Sequence, residues 1–321
     1  MKRRSLLAAP LVLAPTIARA DAWPSRPIRV VAPDQAGSGN DLTIRLVAPH
    51  LEAALGKPIV IDNRPGAGGR IGVENAFRSP PDGYTLLIGN AGSNGINGAI
   101  YRDLPYDLER DFVPISMLVF GPNVLVVNPR VLPVASVPDL IAHLKANPGR
   151  VNFAITAPGG SAHMNTELFR VQTGTDFTNV PYRGAPDMAR AMVSGESQAN
   201  FNNLVNIATQ IAAGEVRVIA VTTGQRSALL PDVPTMAEQG FPDFDSAAWN
   251  GLLAPRGTPA EVIQRVHAEL AKLRGNQELQ ARVRQLGGEF VVSSPDSFAE
   301  RIRHDIAMWR SVARVANISV N

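Results

Sequence analysis

Four glycine-rich loops that follow apolar, β-branched runs are the part of the sequence best suited to binding chemistry. They are Pro33–Asp41, Gly89–Ser93, Thr156–His163 and Arg183–Ala185. Glycine lets backbone N–H groups approach a ligand closely, and the N-terminus of the helix behind such a loop attracts anions. Four such loops at the carboxyl ends of strands would line one cleft between two α/β lobes. The ligand-binding residues predicted there are Gly37, Ser38, Gly39, Asn40, Asp41, Gly89, Asn90, Ala91, Ser93, Thr156, Gly160, Ser161, His163, Arg183, Gly184 and Ala185.

One of these loops also allows a catalytic interpretation. Ala91–Gly95 follows a strand and loosely resembles a nucleophile elbow with Ser93 as the attacking residue. His163 or His267 could act as the base, but nothing in the sequence marks either one, and no H-G-G-G oxyanion segment occurs. The pattern therefore favours a loop that binds without attacking, and a secreted serine hydrolase using Ser93 is the alternative.

Other chemistries are excluded by composition and spacing. The chain has no cysteine, and its five histidines form no H-E-x-x-H motif, so no metal site is expected. The glycine run Gly66–Gly72 fails the G-x-G-x-x-G spacing because Ile71 stands where the last glycine is needed, and it follows the second strand instead of the first. No P-loop is present, and the sequence predicts no cofactor.

The elements that would position these loops begin as an alternating series. In chain order the pattern predicts three strands and two helices: strand Ile28–Ala32, helix Asp41–Leu55, strand Ile59–Asp62, helix Gly69–Arg78 and strand Tyr84–Ile88. A β-α-β-α-β start predicts a parallel sheet with right-handed crossovers.

A second alternation predicts a second α/β unit. Its strands are Val151–Ile155, Thr178–Val180, Gln198–Phe201 and Val216–Val221, and its helices are Ser161–Val171, Met188–Val193 and Val205–Ala213. Two apolar segments, Ile115–Phe120 and Val124–Val127, link the units, and Trp249–Ala254 leads back. A capping box at Thr258 and the Ser294-Pro295 pair open two late helices. We expect these helices to return to the first unit, which makes that unit discontinuous.

The N-terminus reads as a secretory signal peptide. Lys2-Arg3-Arg4 is followed by an apolar stretch to Ile17 and an A-x-A site ending at Ala20. The two arginines also fit a twin-arginine signal loosely, and the export route stays open. Cleavage would leave 301 of the 321 residues and reduce Lys plus Arg from 31 to 27, against 28 Asp plus Glu. The mature charge of about −1 gives no reason to expect a nucleic-acid partner.

Several long motifs in order along the mature chain resemble the Bug family, the extracytoplasmic solute receptors of tripartite tricarboxylate transporters. Besides Pro33–Asp41, the motifs that carry the resemblance are Asp62–Gly69, Pro81–Leu87, Leu104–Asp107, Asn123–Pro129, Val180–Gly184, Leu229–Thr235 and Gly251–Pro255.

The resemblance implies a two-lobed, type II Venus-flytrap fold of the periplasmic binding proteins, in which each lobe is a mainly parallel sheet flanked by helices. It implies residues 1–20 as signal peptide, 21–121 with 248–321 as the first lobe, and 122–247 as the second. It also implies no catalysis. The implied function is capture of a small organic carboxylate in the periplasm by a monomeric protein, which passes the ligand to the membrane subunits of a tripartite tricarboxylate transporter or to a sensor.

Two departures from the family pattern concern the cleft. Asp34, Gln35 and Ala36 stand where the family often has an aromatic residue and two prolines, and Asn202 stands where it often has aspartate in Phe-Asp-Asn. Asn202 is therefore a further predicted binding residue. If Asp34 faces the cleft, it should disfavour binding of a plain dicarboxylate. If it faces solvent, it should have no effect on which ligand binds.

Overall fold

The first alternation folds as a βαβαβ unit. The computed structural model describes residues 23–155 and 159–319. Its first elements are β1 (Ile28–Ala32), α1 (Gly39–Leu55), β2 (Ile59–Asn63), α2 (Arg70–Phe77) and β3 (Thr85–Asn90). β1 pairs in parallel with β2 and β3, which confirms the predicted parallel arrangement.

The connection between the two units contains one long strand. After β3 come a π-helical turn (Gly92–Ile96) and two one-turn helices, α3 (Asn97–Ile100) and α4 (Leu108–Asp111). β4 then runs unbroken over Phe112–Val127. The two apolar segments predicted here are thus parts of one 16-residue strand.

The second alternation is also confirmed. It contains α5 (Val137–Ala146), β5 (Asn152–Ile155), α6 (Ser161–Thr173), β6 (Thr178–Pro181), α7 (Ala185–Ser194), β7 (Ala199–Asn203), α8 (Leu204–Ala212) and β8 (Arg217–Val221). The chain returns through β9 (Ala247–Pro255) and ends with α9 (Ala260–Ala271), α10 (Gln277–Gln285), β10 (Glu289–Phe290) and α11 (Pro295–Val315).

The strands form one curled sheet that joins two lobes. The order is β2-β1-β3-β9-β4-β7-β5-β6, and both β8 and β10 pair with β4. The first part of β4 pairs with β9, and its last part with β7 and β8. Gly121 lies opposite Ala248 and Pro122 opposite Ala247. The predicted lobe boundaries fall at these pairs, and we propose that the lobes hinge there.

The core of the first lobe covers both faces of its sheet. Four of the five residues of β1 are buried, as expected for a strand between two helical layers. Val47 and Val266, on α1 and α9, pack in one cluster, and Val73 and Ile302, on α2 and α11, pack in the other. The second lobe is filled by phenylalanines at 153, 169, 177, 201 and 244.

The last helix contacts both lobes. Ile302 and Ile306 pack in the first lobe, as predicted, but Trp309 and Val312 join the phenylalanine cluster of the second lobe. The packing of the end of α11 on the second lobe was not predicted from the sequence. The same apolar stripe continues past the first lobe, and the 21-residue helix is long enough to follow it.

The predicted capping box is wrong. Pro259, and not Thr258, is the N-cap of α9, and the Thr258 hydroxyl donates to the Pro255 carbonyl at 2.8 Å. Ser294 does cap α11, accepting from the Ser297 N–H at 3.1 Å. No helix within the described ranges is long and apolar enough to cross a membrane.

Candidate functional site

A cavity of about 290 Å³ lies between the lobes. Its volume is at the small end of the range for ligand pockets. The loops after β1 and β3, the N-termini of α6 and α8, β4, β9 and the turn after α10 all contribute to it. Its lining residues are Asp34, Gly39, Asn40, Asn90, Ala91, Gly92, Val119, Gly121, Pro122, Ser161, Asn203, Leu204, Val205, Ala248, Trp249, Asn250, Leu286, Gly287 and Gly288.

Hydrogen bonds within the first loop hold it at the entrance to α1. Ser38 is the N-cap, and its hydroxyl accepts from the Asp41 N–H at 3.3 Å. The buried Asp41 carboxylate accepts from the Gly37 N–H and from Arg45 Nε, both at 2.8 Å. Burial opposes the charge of Asp41, but these hydrogen bonds outweigh it and lower its pKa. Asp41 therefore shapes the loop from behind the cavity.

Asp34 faces the cavity at the centre of an amide network. Its Oδ2 accepts from Asn40 Nδ2 at 2.7 Å and from Asn90 Nδ2 at 2.9 Å. Asn250 in turn donates to Asn40 Oδ1, and the β3–β9 ladder places Asn250 directly opposite Asn90. Side chains from the start of α1 and the end of β3 thus fix the carboxylate, which settles the orientation that the sequence left open.

The electrostatics of the cavity are unusual because Asp34 is the only formally charged residue in its described lining. Burial raises the pKa of Asp34, and the two amide hydrogen bonds only partly oppose that shift. No arginine or lysine from the described residues lines the cavity. An anionic ligand must therefore be stabilised by something other than a cationic side chain.

Three helix N-termini at the cavity are suited to that stabilisation. α1 presents Gly39 and Asn40, α6 presents Ser161, and α8 presents Leu204 and Val205, each in its first turn. The first N–H groups of a helix lack intrahelical partners, and the helix dipole adds partial positive charge at that end. The convergence of three such ends makes the cavity suited to a carboxylate.

Ser93 is positioned for a structural role and not for nucleophilic attack. It is 2% exposed, and its hydroxyl donates to Asn94 Oδ1 at 2.6 Å. Its N–H donates to Asn90 Oδ1 at 2.7 Å, which orients the Asn90 amide towards Asp34. Gly89 is also behind the cavity, because a side chain there would meet Asn94 at 2.5 Å.

The second lobe brings some of its predicted residues to the cavity. Ser161 lines it and also lines an adjoining space of about 80 Å³ together with Asn202. The Asn202 amide nitrogen is buried and has no hydrogen-bond partner among the described residues. Gly160 is the N-cap of α6. Thr156 lies outside the described residues.

His163 stands behind this loop. Its Nδ1 accepts from the Gly159 N–H at 3.0 Å, and burial lowers its pKa, so the neutral ring is favoured. The imidazole thus fixes the turn into α6 and adds no positive charge to the cavity.

The second predicted loop of the second lobe, Arg183–Ala185, is not brought to this cavity. Arg183 is exposed, Gly184 is the N-cap of α7, and Ala185 borders a wide depression of about 940 Å³ between α7 and α8. None of the three lines the cavity around Asp34. Their binding role stays a prediction from the sequence.

Arg183 can be tested directly. If it met a ligand carboxylate, its removal should cost on the order of 1.5–3 kcal/mol, the strength of a charge-assisted hydrogen bond. Because Arg183 lies outside the cavity lining, we expect Arg183→Ala to bind ligand with wild-type affinity in calorimetry. A loss of tenfold or more would instead place the guanidinium on the ligand.

Two lining residues on β9 that carry polar groups were missed by the sequence interpretation. Asn250 and Trp249 begin a segment that read only as an apolar return strand. The Trp249 indole N–H donates to Asp305 Oδ2 at 2.6 Å, and the Asp305 carboxylate lies 2.9 Å from Arg301 Nε. Arg301 also pairs with Asp245 at 3.1 Å, just before β9 begins. This chain of contacts fixes the cavity wall to the hinge.

A turn from the first lobe closes one side of the cavity against the second lobe. A methyl group on Gly287 would lie 2.7 Å from both the backbone nitrogen and Cβ of Val205. Nearby, Glu289 Oε1 accepts from the Ser227 hydroxyl and the Ala228 N–H, both at 3.3 Å. The N-terminus of α8 thus rests directly on the backbone of this turn.

The raised pKa of Asp34 predicts a gain in stability when its charge is removed. An acid whose folded-state pKa is raised destabilises the fold progressively as pH rises from its ordinary pKa through the raised one. Asp34→Asn keeps an oxygen for the two amides. We expect it to raise the unfolding temperature of the ligand-free protein at neutral pH, with a smaller gain near pH 4.

Asp41→Asn is the matched control with the opposite sign. The pKa of Asp41 is lowered, so its ionised form stabilises the fold and that contribution fades as pH falls through the lowered pKa. We expect Asp41→Asn to lower the unfolding temperature at neutral pH. A lower unfolding temperature for Asp34→Asn would contradict the assigned environment of Asp34.

The chain resembles known proteins over most of its length. The family described as tripartite tricarboxylate transporter family receptor (TctC) matches residues 43–318. Protein BugT of Bordetella pertussis is 35% identical over 296 residues, which are 92% of this chain and 90% of that protein.

Solved structures show the same fold. Rpa4515 of Rhodopseudomonas palustris, solved with adipate, is 36% identical with a TM-score of 0.76, and the match covers 92% of this chain and 99% of that one. MatC of the same organism, solved with malate, is 28% identical with a TM-score of 0.73, covering 90% and 99%.

The family and these neighbours are solute-binding receptors and not enzymes. On that ground the binding interpretation is confirmed, and the alternative of a hydrolase using the buried Ser93 is not retained. With a match over most of its length, a shared two-lobed α/β fold and a cavity between the lobes, this chain belongs to the tripartite tricarboxylate transporter receptor family, also called the Bug family.

Proposed function

We propose that the protein captures a small organic carboxylate between its lobes and delivers it to the membrane subunits of a tripartite tricarboxylate-type transporter. The observation that carries this proposal is the convergence of the α1, α6 and α8 N-termini on a cavity whose described lining has no cationic side chain. Helix N-termini bind carboxylates without a counter-ion. The carboxylates bound to two neighbours, adipate and malate, support the same ligand class.

Capture would use the hinge where β4 and β9 cross between the lobes. The ligand would touch residues of both lobes, such as Asn40 and Ser161, and would therefore stabilise the closed arrangement over an open one. The contact of Gly287 with Val205 is then part of the closed state, and a membrane partner or a sensor could distinguish the two states.

The site of action we propose is the periplasm, where receptors of this family work. The predicted signal peptide lies outside the described residues, and the mature chain would begin at Asp21 and be monomeric. Cell fractionation with intact-mass measurement tests this. A periplasmic species starting at Asp21 is expected, and a full-length form held in the cytoplasmic membrane would contradict it.

Identification of the co-purifying small molecule tests the ligand class. The protein should be expressed in its native host, purified without denaturation and examined by native mass spectrometry. We expect a bound species whose mass corresponds to a small carboxylic acid and whose addition raises the unfolding temperature of the stripped protein. A stripped protein that no carboxylate stabilises would contradict the proposal.

A further inference from the structure

We propose that the ligand carries an ammonium group that binds Asp34, so that the protein is a receptor for an α-amino acid with an apolar side chain and not for a plain dicarboxylate. This rests on the proposed function, because it assigns the ligand class of the same cavity. Three features of the cavity carry it: the oxygen of Asp34 that accepts from no described residue, the absence of any other charged side chain from the described lining, and the apolar wall.

The first feature is the hydrogen bonding of Asp34. Both amide donors, from Asn40 and Asn90, go to Oδ2, and Oδ1 accepts from no described residue. An ionised carboxylate only accepts hydrogen bonds, so a ligand group that satisfies Oδ1 must be a donor. The network also restrains the carboxylate, which makes its position a fixed feature that a ligand must match.

The second feature is the charge of the lining. With Asp34 ionised, a ligand that brings two carboxylates would add like charges to a cavity whose described lining contains no cation. Residues 156–158, which are not described, are Thr, Ala and Pro and add no charged side chain. An ammonium compensates Asp34 while the ligand carboxylate binds the helix N-termini. A hydroxyl would donate equally well but would leave the charge of Asp34 uncompensated.

The third feature is the composition of the remaining wall. Val119, Leu204, Val205 and Leu286 line the cavity together with the polar groups around Asp34. A charged group placed against them would lose its hydration without gaining a partner, whereas an aliphatic side chain would bury apolar area. The small volume suits a compact molecule. Together these features describe a zwitterion with an apolar side chain.

Calorimetry with a series of matched ligands tests the inference. Leucine, 2-hydroxy-4-methylpentanoate and 4-methylpentanoate share one carbon skeleton and differ only in the amine, hydroxyl or hydrogen at the second carbon. Glutamate and adipate supply a second carboxylate. For wild type we expect leucine to bind at least tenfold more tightly than the hydroxy acid and at least a hundredfold more tightly than 4-methylpentanoate or adipate.

The variant Asp34→Asn removes the charge and keeps the shape. It should lose at least thirtyfold in affinity for leucine, lose little for 4-methylpentanoate, and gain affinity for adipate. Asp232→Asn removes the charge of an exposed aspartate outside the cavity lining, and it should follow wild type across the series. Circular dichroism of both variants checks that they fold.

The outcomes separate this inference from the function on which it rests. Wild-type binding of 4-methylpentanoate or adipate as tight as that of leucine would overturn the role of the ammonium and leave carboxylate capture intact. An equal change in affinity for all the ligands in Asp34→Asn would also overturn the role of the ammonium and leave carboxylate capture intact. Failure of every carboxylate, the co-purified one included, to bind either protein would overturn the proposed function itself.

Discussion

Replacement of Gly39 by valine should abolish ligand binding without unfolding the protein. Gly39 is the first residue of α1 and lines the cavity beside the N–H groups proposed to hold the carboxylate. A β-carbon there would meet its nearest neighbour, Asn250 Oδ1, at 3.8 Å, and the backbone does not adopt a left-handed conformation. The fold therefore accommodates the substitution, while two methyl groups extend over the anion site. We expect a loss of at least a hundredfold in affinity, or about 2.7 kcal/mol.

Gly184→Val is the matched control for this experiment. Gly184 precedes α7 much as Gly39 opens α1. Among the described residues its β-carbon would meet only Pro186, at 3.8 Å, and Gly184 does not line the cavity. Titration calorimetry should find wild-type affinity for Gly184→Val, and far-UV circular dichroism should be native for both variants. Retained affinity in Gly39→Val would mean that the first loop does not hold the ligand.

Substitution of Gly287 by alanine should weaken binding through the closure of the lobes. A methyl group at this position would lie 2.7 Å from the backbone of Val205, so the N-terminus of α8 would have to move away. That movement opens the cavity on the side where the two lobes meet and displaces one of the three helix N-termini. We expect calorimetry to show a loss of tenfold or more in affinity.

Gly275→Ala separates this effect from backbone strain. Gly275 has a φ of +82° and Gly287 one of +70°, so alanine is strained at both positions. Of these two, Gly287 alone has a neighbour to displace, because no described residue lies within 4 Å of the β-carbon position at Gly275. Both variants should unfold at a lower temperature, but Gly275→Ala should bind normally. Equal affinity of the two variants would show that the Gly287–Val205 contact is irrelevant to binding.

Much of the fold could be predicted because its central strands, such as β1, β3 and β7, are buried on both faces. The run Ile28–Ala32 coincides with β1 because a strand between two helical layers reads as a continuous apolar run. β4 was predicted as two segments because Gly121 and Pro122 interrupt the pattern. In the structure the strand is continuous through these residues, because β4 pairs with β9 up to Pro122 and with β7 from Asn123 onward.

The part of the site formed by a single loop could be predicted from the sequence. The part formed by contacts between distant segments of the chain could not. The glycines of Pro33–Asp41 and the helix predicted behind them indicate a helix N-terminus open to an anion, and Gly39 and Asn40 do line the cavity. The contact between Asn40 and Asn250 joins residues 210 positions apart in the chain. No periodicity marks Asn250, and the burial of Ser93 and Asp41 depends on packing that the loop sequences do not encode.

A crystal structure of the protein with its co-purified ligand would measure where the carboxylate binds. We expect a carboxylate between the lobes, with its oxygens about 3 Å from backbone N–H groups at the N-terminus of α1 and at the N-terminus of α6, which begins at Ser161. Asp34 should contact a donor group of the same molecule. A ligand bound outside this cavity, or one with no acidic group at the helix N-termini, would contradict carboxylate capture by this receptor.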